Sequence, residues 1–344
     1  MHAQNPVFIP GPTNMPDAIR RACDVATIDH RSPAFAAMLN PAIAGVKRVL
    51  NMAAGEVFVL PSTGTGGWEA AITNTLSAGD TVLAARFGMF SHRWIDMCQR
   101  HGLNVEILET PWGNGMPLDR IEAALRADTG HRIKAVLATH NETATGVRSD
   151  MAGLRAAMDS AGHPALLMVD GVSSIASMPF EFTGWGVDIA VAGSQKGFML
   201  PAGLAILGLS PRALAAMDSA TLPRTYFDLR DQQKGYAAGG YPYTPPVGLI
   251  AGLAHAVTLL EARSMSLPAT PGLPRACAAR SAPGGWSCAR PRQITTPTPS
   301  PRSWPPRGST ALRWCNWPRR NTASPLAWAW ARWRASCSAS AIWA

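Results

Sequence analysis

The sequence has no apolar run long enough to cross a membrane, because glycine, proline or a charged residue interrupts every candidate. The first six residues contain neither a basic stretch nor an apolar core, so we expect no signal peptide. The six cysteines lack regular spacing, which favours free thiols over a disulfide framework. These absences lead us to expect a soluble, cytoplasmic protein with no membrane partner.

Lysine, histidine and acidic residues are all absent from residues 264–344, although this stretch contains eleven arginines. The formal net charge of +9 therefore belongs to this stretch, and residues 1–263 carry about −2. Because most of the chain has no basic excess, we expect no nucleic-acid partner. We also assign no metal ligands.

Predicted strands and helices alternate along residues 56–192. Apolar runs predict strands at 56–60, 81–85, 133–138, 165–169 and 188–192, and helical spacing follows, for example at 68–76 and 150–160. This alternation is typical of an α/β sheet with mostly parallel strands. Polar residues follow the carboxyl ends of several strands, where open α/β sheets bind their ligands.

A glycine-rich turn follows the first predicted strand, in the segment Pro61-Ser62-Thr63-Gly64-Thr65-Gly66-Gly67. Strand, glycine turn and helix in succession direct backbone N–H groups at an anion, usually phosphate. The alternative is an ordinary tight turn. The segment lacks the lysine of a P-loop and the glycine pattern of a dinucleotide site, so a nucleotide ligand is disfavoured.

Three polar residues after buried strands are candidates for chemistry. Lys196, in Gly193-Ser194-Gln195-Lys196, is placed where partial burial lowers the pKa of an amine and makes it nucleophilic, although a lone motif of this kind is also compatible with a surface lysine. Asp170 fits either a partner for a protonated pyridine nitrogen or a helix N-cap. His140 is as compatible with a structural role as with acid–base chemistry.

Four motifs together resemble those of the class V pyridoxal-phosphate aminotransferases, specifically the serine/alanine–glyoxylate group. They are Thr63-Gly64-Thr65-Gly66, Thr139-His140-Asn141-Glu142-Thr143, Val169-Asp170-Gly171-Val172 and Gly193-Ser194-Gln195-Lys196. The resemblance extends from about residue 10 to about residue 263. It implies a fold-type-I transferase: an α/β domain around a mostly parallel seven-stranded sheet flanked by helices, with pyridoxal 5′-phosphate as cofactor.

The resemblance also implies roles for individual residues. Lys196 would form the internal aldimine and move a proton between the substrate Cα and the cofactor. Asp170 would pair with the pyridinium nitrogen. Thr143 would bond the phenolic oxygen of the ring, and Phe90 would stack on its face, where many members have tryptophan.

The cofactor phosphate would be bound by residues of both subunits of a homodimer. In one subunit the ligands would be Thr63, Gly64, Thr65 and, beside them, Gln195. The segment Tyr241-Pro242-Tyr243-Thr244-Pro245-Pro246 would come from the other subunit, with Tyr241 and Thr244 touching the phosphate. From its residues alone, this segment is a proline-stiffened loop with exposed aromatics.

The composition changes abruptly after residue 263. Residues 264–344 contain twelve prolines and eight of the twelve tryptophans, without apolar periodicity. A proline-rich disordered tail is one interpretation, but disordered segments are poor in aromatics. Back-translation offers another: codons permitted for residues 327–344, read from each third base, give GMGLGEVAGKLFRIGHLG, which looks like the small C-terminal domain of the same aminotransferases. We therefore predict a frameshift near residues 263–265.

The predicted organisation is an N-terminal segment (1–20), a cofactor-binding large domain (21–263) and a frameshifted, poorly ordered tail (264–344) in place of the small domain. The arginine of FRIGHLG, which in the family clamps the substrate carboxylate, is not encoded in the frame that this chain uses. The implied reaction is transamination from serine, alanine or aspartate to glyoxylate. The alternatives are a non-catalytic remnant and another class V reaction, such as pyridoxamine–pyruvate transamination or a lyase.

Overall fold

A single β-sheet organises residues 7–266, the part of the chain that the computed structural model describes. Its strands are β1 (Glu56–Ser62), β2 (Thr81–Arg86), β3 (Asn104–Glu109), β4 (Ile133–Thr139), β7 (Leu166–Asp170), β8 (Ile189–Gly193) and β9 (Gly203–Leu209); β5 (Asn141–Glu142) and β6 (Val147–Arg148) form a separate hairpin. The seven strands lie in the order β1-β9-β8-β7-β4-β2-β3. β9 runs in the direction opposite to the other six strands, which are mutually parallel, so the predicted mostly parallel seven-stranded sheet is confirmed.

Helices cover both faces of this sheet. They are α1 (Asp17–Cys23), α2 (Pro33–Val49), α3 (Gly64–Thr75), α4 (Met89–Arg100), α5 (Leu118–Ala127), α6 (Met151–Ala161), α7 (Pro211–Ala216), α8 (Leu229–Ala237) and α9 (Val247–Ser266). One core layer joins the sheet to α2, α5, α6 and α9, and the other joins it to α3, α4, α7 and α8. Helices on two faces explain why the strands are apolar along their whole length.

The strands divide their side chains between the two core layers in strict alternation. In β1, Val57 and Val59 pack into the layer of α2 and α9, whereas Phe58 and Leu60 pack into the layer of α3. This is the two-residue period of a strand. All four side chains are at most 2% exposed.

The five strands predicted from apolar runs are all present, with ends shifted by one or two residues. Two strands of the sheet, β3 and β9, had not been located individually. The side chains of β3 are half-buried or exposed because it is the last strand of the sheet, and β9 contains two glycines that weaken a strand pattern.

Two tyrosines cover the free edge of β1. The backbone N–H of Val59 donates to the hydroxyl of Tyr236 at 3.0 Å, and the hydroxyl of Tyr241 bonds the carbonyl of the same residue. Tyr236 belongs to α8 and Tyr241 follows it, and the two rings meet edge to face at 5.9 Å. Because β1 has a strand neighbour on only one side within residues 7–266, these hydroxyls satisfy backbone groups that would otherwise be unpaired there.

The predicted boundary between the large domain and the tail falls within the last turn of α9. Residues 267–344, which hold nearly all of the predicted frameshifted tail, lie outside the described residues, as do residues 1–6. Within residues 7–266, no helix combines the length and apolarity needed to span a membrane.

Candidate active site

Lys196 lines one cavity, and Asp170 contacts Val172 of its lining, next to the carboxyl ends of neighbouring strands. Asp170 is the last residue of β7, and Lys196 follows β8 by three residues. The cavity has a volume of about 240 Å³. Its lining residues are Gly11, Pro12, Thr63, Gly64, Thr65, Trp68, Phe90, Val172, Gln195, Lys196 and Ala202. The topology therefore brings together motifs that are more than 130 residues apart in sequence.

The glycine-rich segment forms the first turn of α3 rather than a turn that precedes it. Thr63 is the extended N-cap, and the first intrahelical bond runs from Gly67 N to Thr63 O at 3.0 Å. The N–H groups before Gly67 have no helical acceptor, and Gly64 and Thr65 line the cavity. This arrangement of helix N-terminus and hydroxyls suits a phosphate group.

Asp170 is a buried carboxyl whose pKa is raised to about 7. Burial is the main cause of this rise, and the charge of Glu142 adds to it. Three groups lower the pKa: the N–H of Val172, which donates to Oδ1 at 3.0 Å, the indole of Trp68 and the charge of Lys196. Residues 172–177 form turns rather than a helix, so Asp170 does not cap a helix and this alternative is wrong. A buried carboxyl of this kind is ready to accept a cationic partner.

The pKa of the Lys196 amine is lowered, chiefly by burial, and Asp170 opposes this shift. Nζ donates to the carbonyl of Pro10 at 2.9 Å. The isolated motif was also compatible with a surface lysine. In the structure Lys196 instead lines a cavity and interacts with a buried carboxyl. Because a lowered pKa increases the fraction of neutral amine, Lys196 is suited to act as a nucleophile.

The segment around Pro10-Gly11-Pro12 crosses Lys196, a contact that sequence reasoning missed. Thr13 anchors it, since its N–H donates to Gln195 O at 3.0 Å and its hydroxyl donates to Lys196 O at 3.0 Å. A Cβ at Gly11, whose φ is +142°, would lie 2.6 Å from Lys196 Nζ. Two prolines around a glycine indicate a segment with a restricted backbone, but they do not indicate which residue the segment contacts.

An aromatic group closes one side of the cavity. Phe90, in the first turn of α4, meets Trp68 edge to face at 6.4 Å, and Trp68 stacks on Trp94 at 5.6 Å. The indole of Trp68 lowers the pKa of Asp170, although its buried Nε1 makes no well-formed hydrogen bond within residues 7–266. Sequence reasoning used Trp68 only as the start of a helical pattern, because helical spacing does not show which side of a first turn faces a ligand.

The donor and acceptor groups of the cavity fit the cofactor that the motifs imply. Gln195 Oε1 is buried and has no hydrogen-bond partner among the described residues, so the carboxamide is available to a ligand. A Cβ at Gly64 would lie 2.4 Å from the side chain of Val172, which shows how closely the first turn of α3 approaches the loop after Asp170. An amine, a buried carboxyl, an aromatic face and a helix N-terminus match the aldehyde, ring nitrogen, ring face and phosphate of pyridoxal phosphate.

Besides Asp170, three predicted ligands lie outside the lining of this cavity. Thr143 is half-buried in the loop between β5 and β6, and Thr244 is exposed. Tyr241 is 5% exposed and packs against Phe35 and Tyr236, so the expectation that the aromatics of this loop are exposed is wrong for it. The reason is the free edge of β1, which offers its hydroxyl a backbone partner inside the same chain.

His140 has a structural environment. It is 2% exposed, its Nδ1 lies 2.9 Å from Ser174 Oγ, and its ring contacts Phe180 and Trp185 edge to face. Burial, together with the charge of Arg148, lowers the pKa of His140 to about 4. A neutral, packed ring outside the cavity is the structural alternative that the sequence had left open.

A larger cleft, of about 580 Å³, lies near the amino end of β8, away from Lys196. Its arginines are paired: Arg155 with Asp159 at 2.6 Å, and Arg212 with Asp188 at 3.1 Å. None of the predicted site residues lines it. Volume alone therefore does not locate the chemistry of this fold.

Comparison with known proteins gives one family. The family model described as aminotransferase class-V matches residues 22–267. An L-aspartate–glyoxylate aminotransferase of Paracoccus denitrificans is 69% identical over 253 residues, which cover 74% of this chain and 64% of that protein. A serine–glyoxylate aminotransferase of Methylorubrum extorquens is 52% identical, with 75% and 65% covered.

Among solved structures, an alanine–glyoxylate aminotransferase from Nostoc sp. matches with a TM-score of 0.69 and 29% identity, covering 76% of this chain and 71% of that one. The chain thus spans 64% and 65% of the length of the two curated relatives named above.

Proposed function

Because the chain belongs to the class-V aminotransferases, whose members depend on pyridoxal phosphate, we propose that it holds the cofactor site of an enzyme that transfers an amino group from a small amino acid to glyoxylate. The names of its relatives make aspartate, serine and alanine the candidate donors. We rank aspartate first among them, because the relative named L-aspartate–glyoxylate aminotransferase is 69% identical to this chain.

The observation that carries this proposal is the position of Lys196 in a cavity, where its amine interacts electrostatically with the buried carboxyl of Asp170. When bound, the cofactor supplies an electron sink for the carbanion left at the substrate Cα. Lys196 Nζ would link to the cofactor, and after its release would take the proton from Cα, which requires the neutral amine that burial favours. Asp170 would hold the proton of the ring nitrogen, because a cation beside this carboxyl offsets the cost of its burial.

The remaining residues would bind and orient. Thr65 and Gly64, at the start of α3, would hold the phosphate together with Thr63 and Gln195, and Phe90 would lie against the ring. Thr143 would bond the phenolic oxygen. Since the helix N-terminus and the hydroxyls are fixed by α3, the phosphate would set the position of the ring relative to Lys196.

We further propose a homodimer in which Thr244 and Tyr241 reach the phosphate of the partner subunit. The exposure of Thr244 on a proline-rich loop supports this. Tyr241 would have to exchange its bond with Val59 for the phosphate, so dimer formation would release a backbone carbonyl of β1. Sedimentation of the chain with and without cofactor tests the dimer.

A non-catalytic remnant is the second candidate, and the family match favours it by ending at residue 267 of 344. We propose that residues 264–344 are translated from a displaced frame and therefore lack the arginine that would clamp the substrate carboxylate. Such a chain would bind cofactor but turn over poorly. Resequencing the gene across codons 255–275 tests the frame directly.

The decisive experiment uses the chain as it stands, alongside Lys196→Ala. We expect the parent chain to take up pyridoxal phosphate with a visible band that Lys196→Ala lacks. Aspartate, serine, alanine and, as a further donor, pyridoxamine are then added singly, with glyoxylate or pyruvate as acceptor. A band that disappears with aspartate, serine or alanine and returns with glyoxylate supports transamination to glyoxylate, and a band that no donor changes supports the remnant. Failure of the parent chain to take up the cofactor would refute both.

A further inference from the structure

Glu142 is a buried carboxylate that ties two segments of the cofactor site together. Its side chain is 0% exposed. Oε2 accepts from the N–H groups of Phe90 at 3.1 Å and Ser91 at 3.0 Å, and Oε1 accepts from Ala144 N at 3.1 Å. One residue of the β5–β6 hairpin thus binds the first turn of α4, some fifty residues earlier in the chain.

This contact replaces a cap that α4 does not have. The N-cap is Gly88, which has no side chain to accept from the first N–H groups of the helix. A Cβ at Gly88 would lie 2.2 Å from Glu142 Cγ, so glycine is needed for the carboxylate to approach. A negative charge is favourable at this end of a helix, and the N–H groups compensate the burial of the carboxylate.

The two segments that Glu142 joins carry two proposed cofactor contacts. Phe90 is one of the residues whose N–H it binds, and the ring of Phe90 lines the cavity. Thr143 follows Glu142 directly, and the turn around it is closed by Gly146 N, which donates to Glu142 O at 2.8 Å. The position of both side chains therefore depends on one buried group.

We propose that Glu142 is a positioning residue of the cofactor site, which holds Phe90 against the cofactor ring and Thr143 beside the ring oxygen. This inference rests on the proposed function. Glu142 itself is outside the lining of the cavity. Its charge also contributes to the raised pKa of Asp170, so a change at Glu142 would also alter the carboxyl that is proposed to hold the ring nitrogen.

The test compares Glu142→Gln with Asp150→Asn in the full chain. Glutamine keeps the volume but turns an N–H₂ group towards backbone N–H donors. Asp150 is a matched control, because Oδ1 accepts from Gly153 N at 2.9 Å and caps α6, which does not border the cavity. Phe90→Ala and the double variant Glu142→Gln/Phe90→Ala complete a mutant cycle. Glu142→Asp, which keeps the charge and shortens the reach, replaces Glu142→Gln if that variant does not fold.

Two readouts separate positioning from stability. In cofactor-free protein, amide hydrogen exchange should rise selectively at Phe90 and Ser91 in Glu142→Gln and not in Asp150→Asn. With pyridoxal phosphate, Glu142→Gln should bind about tenfold more weakly, equivalent to about 1.4 kcal/mol, and should reduce the circular dichroism of the cofactor band. Once Phe90 is alanine, the same substitution should weaken binding by clearly less than tenfold, because only its effects through Thr143 and Asp170 remain.

The outcomes are distinct. If the parent chain binds cofactor and Glu142→Gln binds it equally well with unchanged dichroism, Glu142 is only a helix cap and the inference is wrong. If its effect is undiminished in the Phe90→Ala background, Glu142 does not act through Phe90, which also overturns the inference. If the parent chain binds no cofactor, the proposed function is wrong. Independently of cofactor binding, unchanged amide hydrogen exchange at Phe90 in Glu142→Gln would show that Glu142 does not stabilise the first turn of α4.

Discussion

Replacing Asp170 with asparagine should stabilise the cofactor-free protein above neutral pH. The pKa of Asp170 is about 7 in the folded chain against an ordinary value of 3.8, so the folded state binds a proton more tightly than the unfolded state. The stability that this group contributes is therefore complete below pH 4 and is lost as the pH rises through 7. A shift of about three units corresponds to about 4 kcal/mol, since each unit is worth about 1.36 kcal/mol.

Asparagine has the same shape, keeps an acceptor for Val172 N and never carries the charge. We expect Asp170→Asn to exceed the parent by up to about 4 kcal/mol in free energy of unfolding at pH 8, and by much less at pH 5. Urea denaturation of cofactor-free protein between pH 5 and 8 measures this difference, with equal slopes as the check that only stability changed.

Asp128→Asn is the matched control for this experiment. Asp128 is also buried, but donors from Ile133, Arg132 and His163, with the charge of Arg132, outweigh the effect of burial and lower its pKa. Its contribution to stability is present at neutral pH and lost on acidification, so Asp128→Asn should destabilise most at pH 8. A pH-independent difference between Asp170→Asn and the parent would refute the burial argument for Asp170.

Three further outcomes follow from contacts described above. Gly67→Ala should lower the free energy of unfolding by about 1–3 kcal/mol in urea, because its Cβ would lie 2.6 Å from Val191 Cγ1, whereas Gly130→Ala, with its closest neighbour at 3.9 Å, should have little effect. Tyr236→Phe should cost about 1–3 kcal/mol by the same measurement, since it leaves the N–H of Val59 without its acceptor; an unchanged midpoint would show that water replaces the hydroxyl. Burial raises the pKa of Cys98 to about 12, so Cys98 should resist iodoacetamide at pH 8 in native protein, whereas half-buried Cys23 should react faster. Peptide mass mapping measures both rates, and equal labelling would contradict the burial of Cys98.

Residues whose role depends on local pattern were predictable from the sequence. Apolar runs predicted five strands correctly, because strands of a sheet that is covered on both faces are apolar along their whole length. Asp170 and Lys196 stood out because each follows such a run, and parallel topology places strand ends together.

Residues whose role depends on long-range contact were not predictable in this way. Nothing near Glu142 in the sequence indicates that its carboxylate accepts hydrogen bonds from the N–H groups of Phe90 and Ser91. These contacts form only when β4 and α4 are both in place. Trp68 and Pro10 are similar: each was visible in the chain, but its neighbour at the cavity was not. Tyr241 shows the opposite error, since its proline-rich surroundings predicted exposure and a sheet edge buried it.

The placement of β1 has a consequence for the order of events during synthesis. β1 is the first strand of the sheet to leave the ribosome, yet its single strand neighbour, β9, begins 141 residues after residue 62 and pairs Glu56 with Leu209. The hydrogen-bond partners of its other edge, Tyr236 and Tyr241, are synthesised later still. An apolar strand that stays unpaired over such a distance makes closure of the sheet slow and exposes nascent chains to association with one another. Chains halted before residue 241 should therefore depend on chaperones more than the finished chain does.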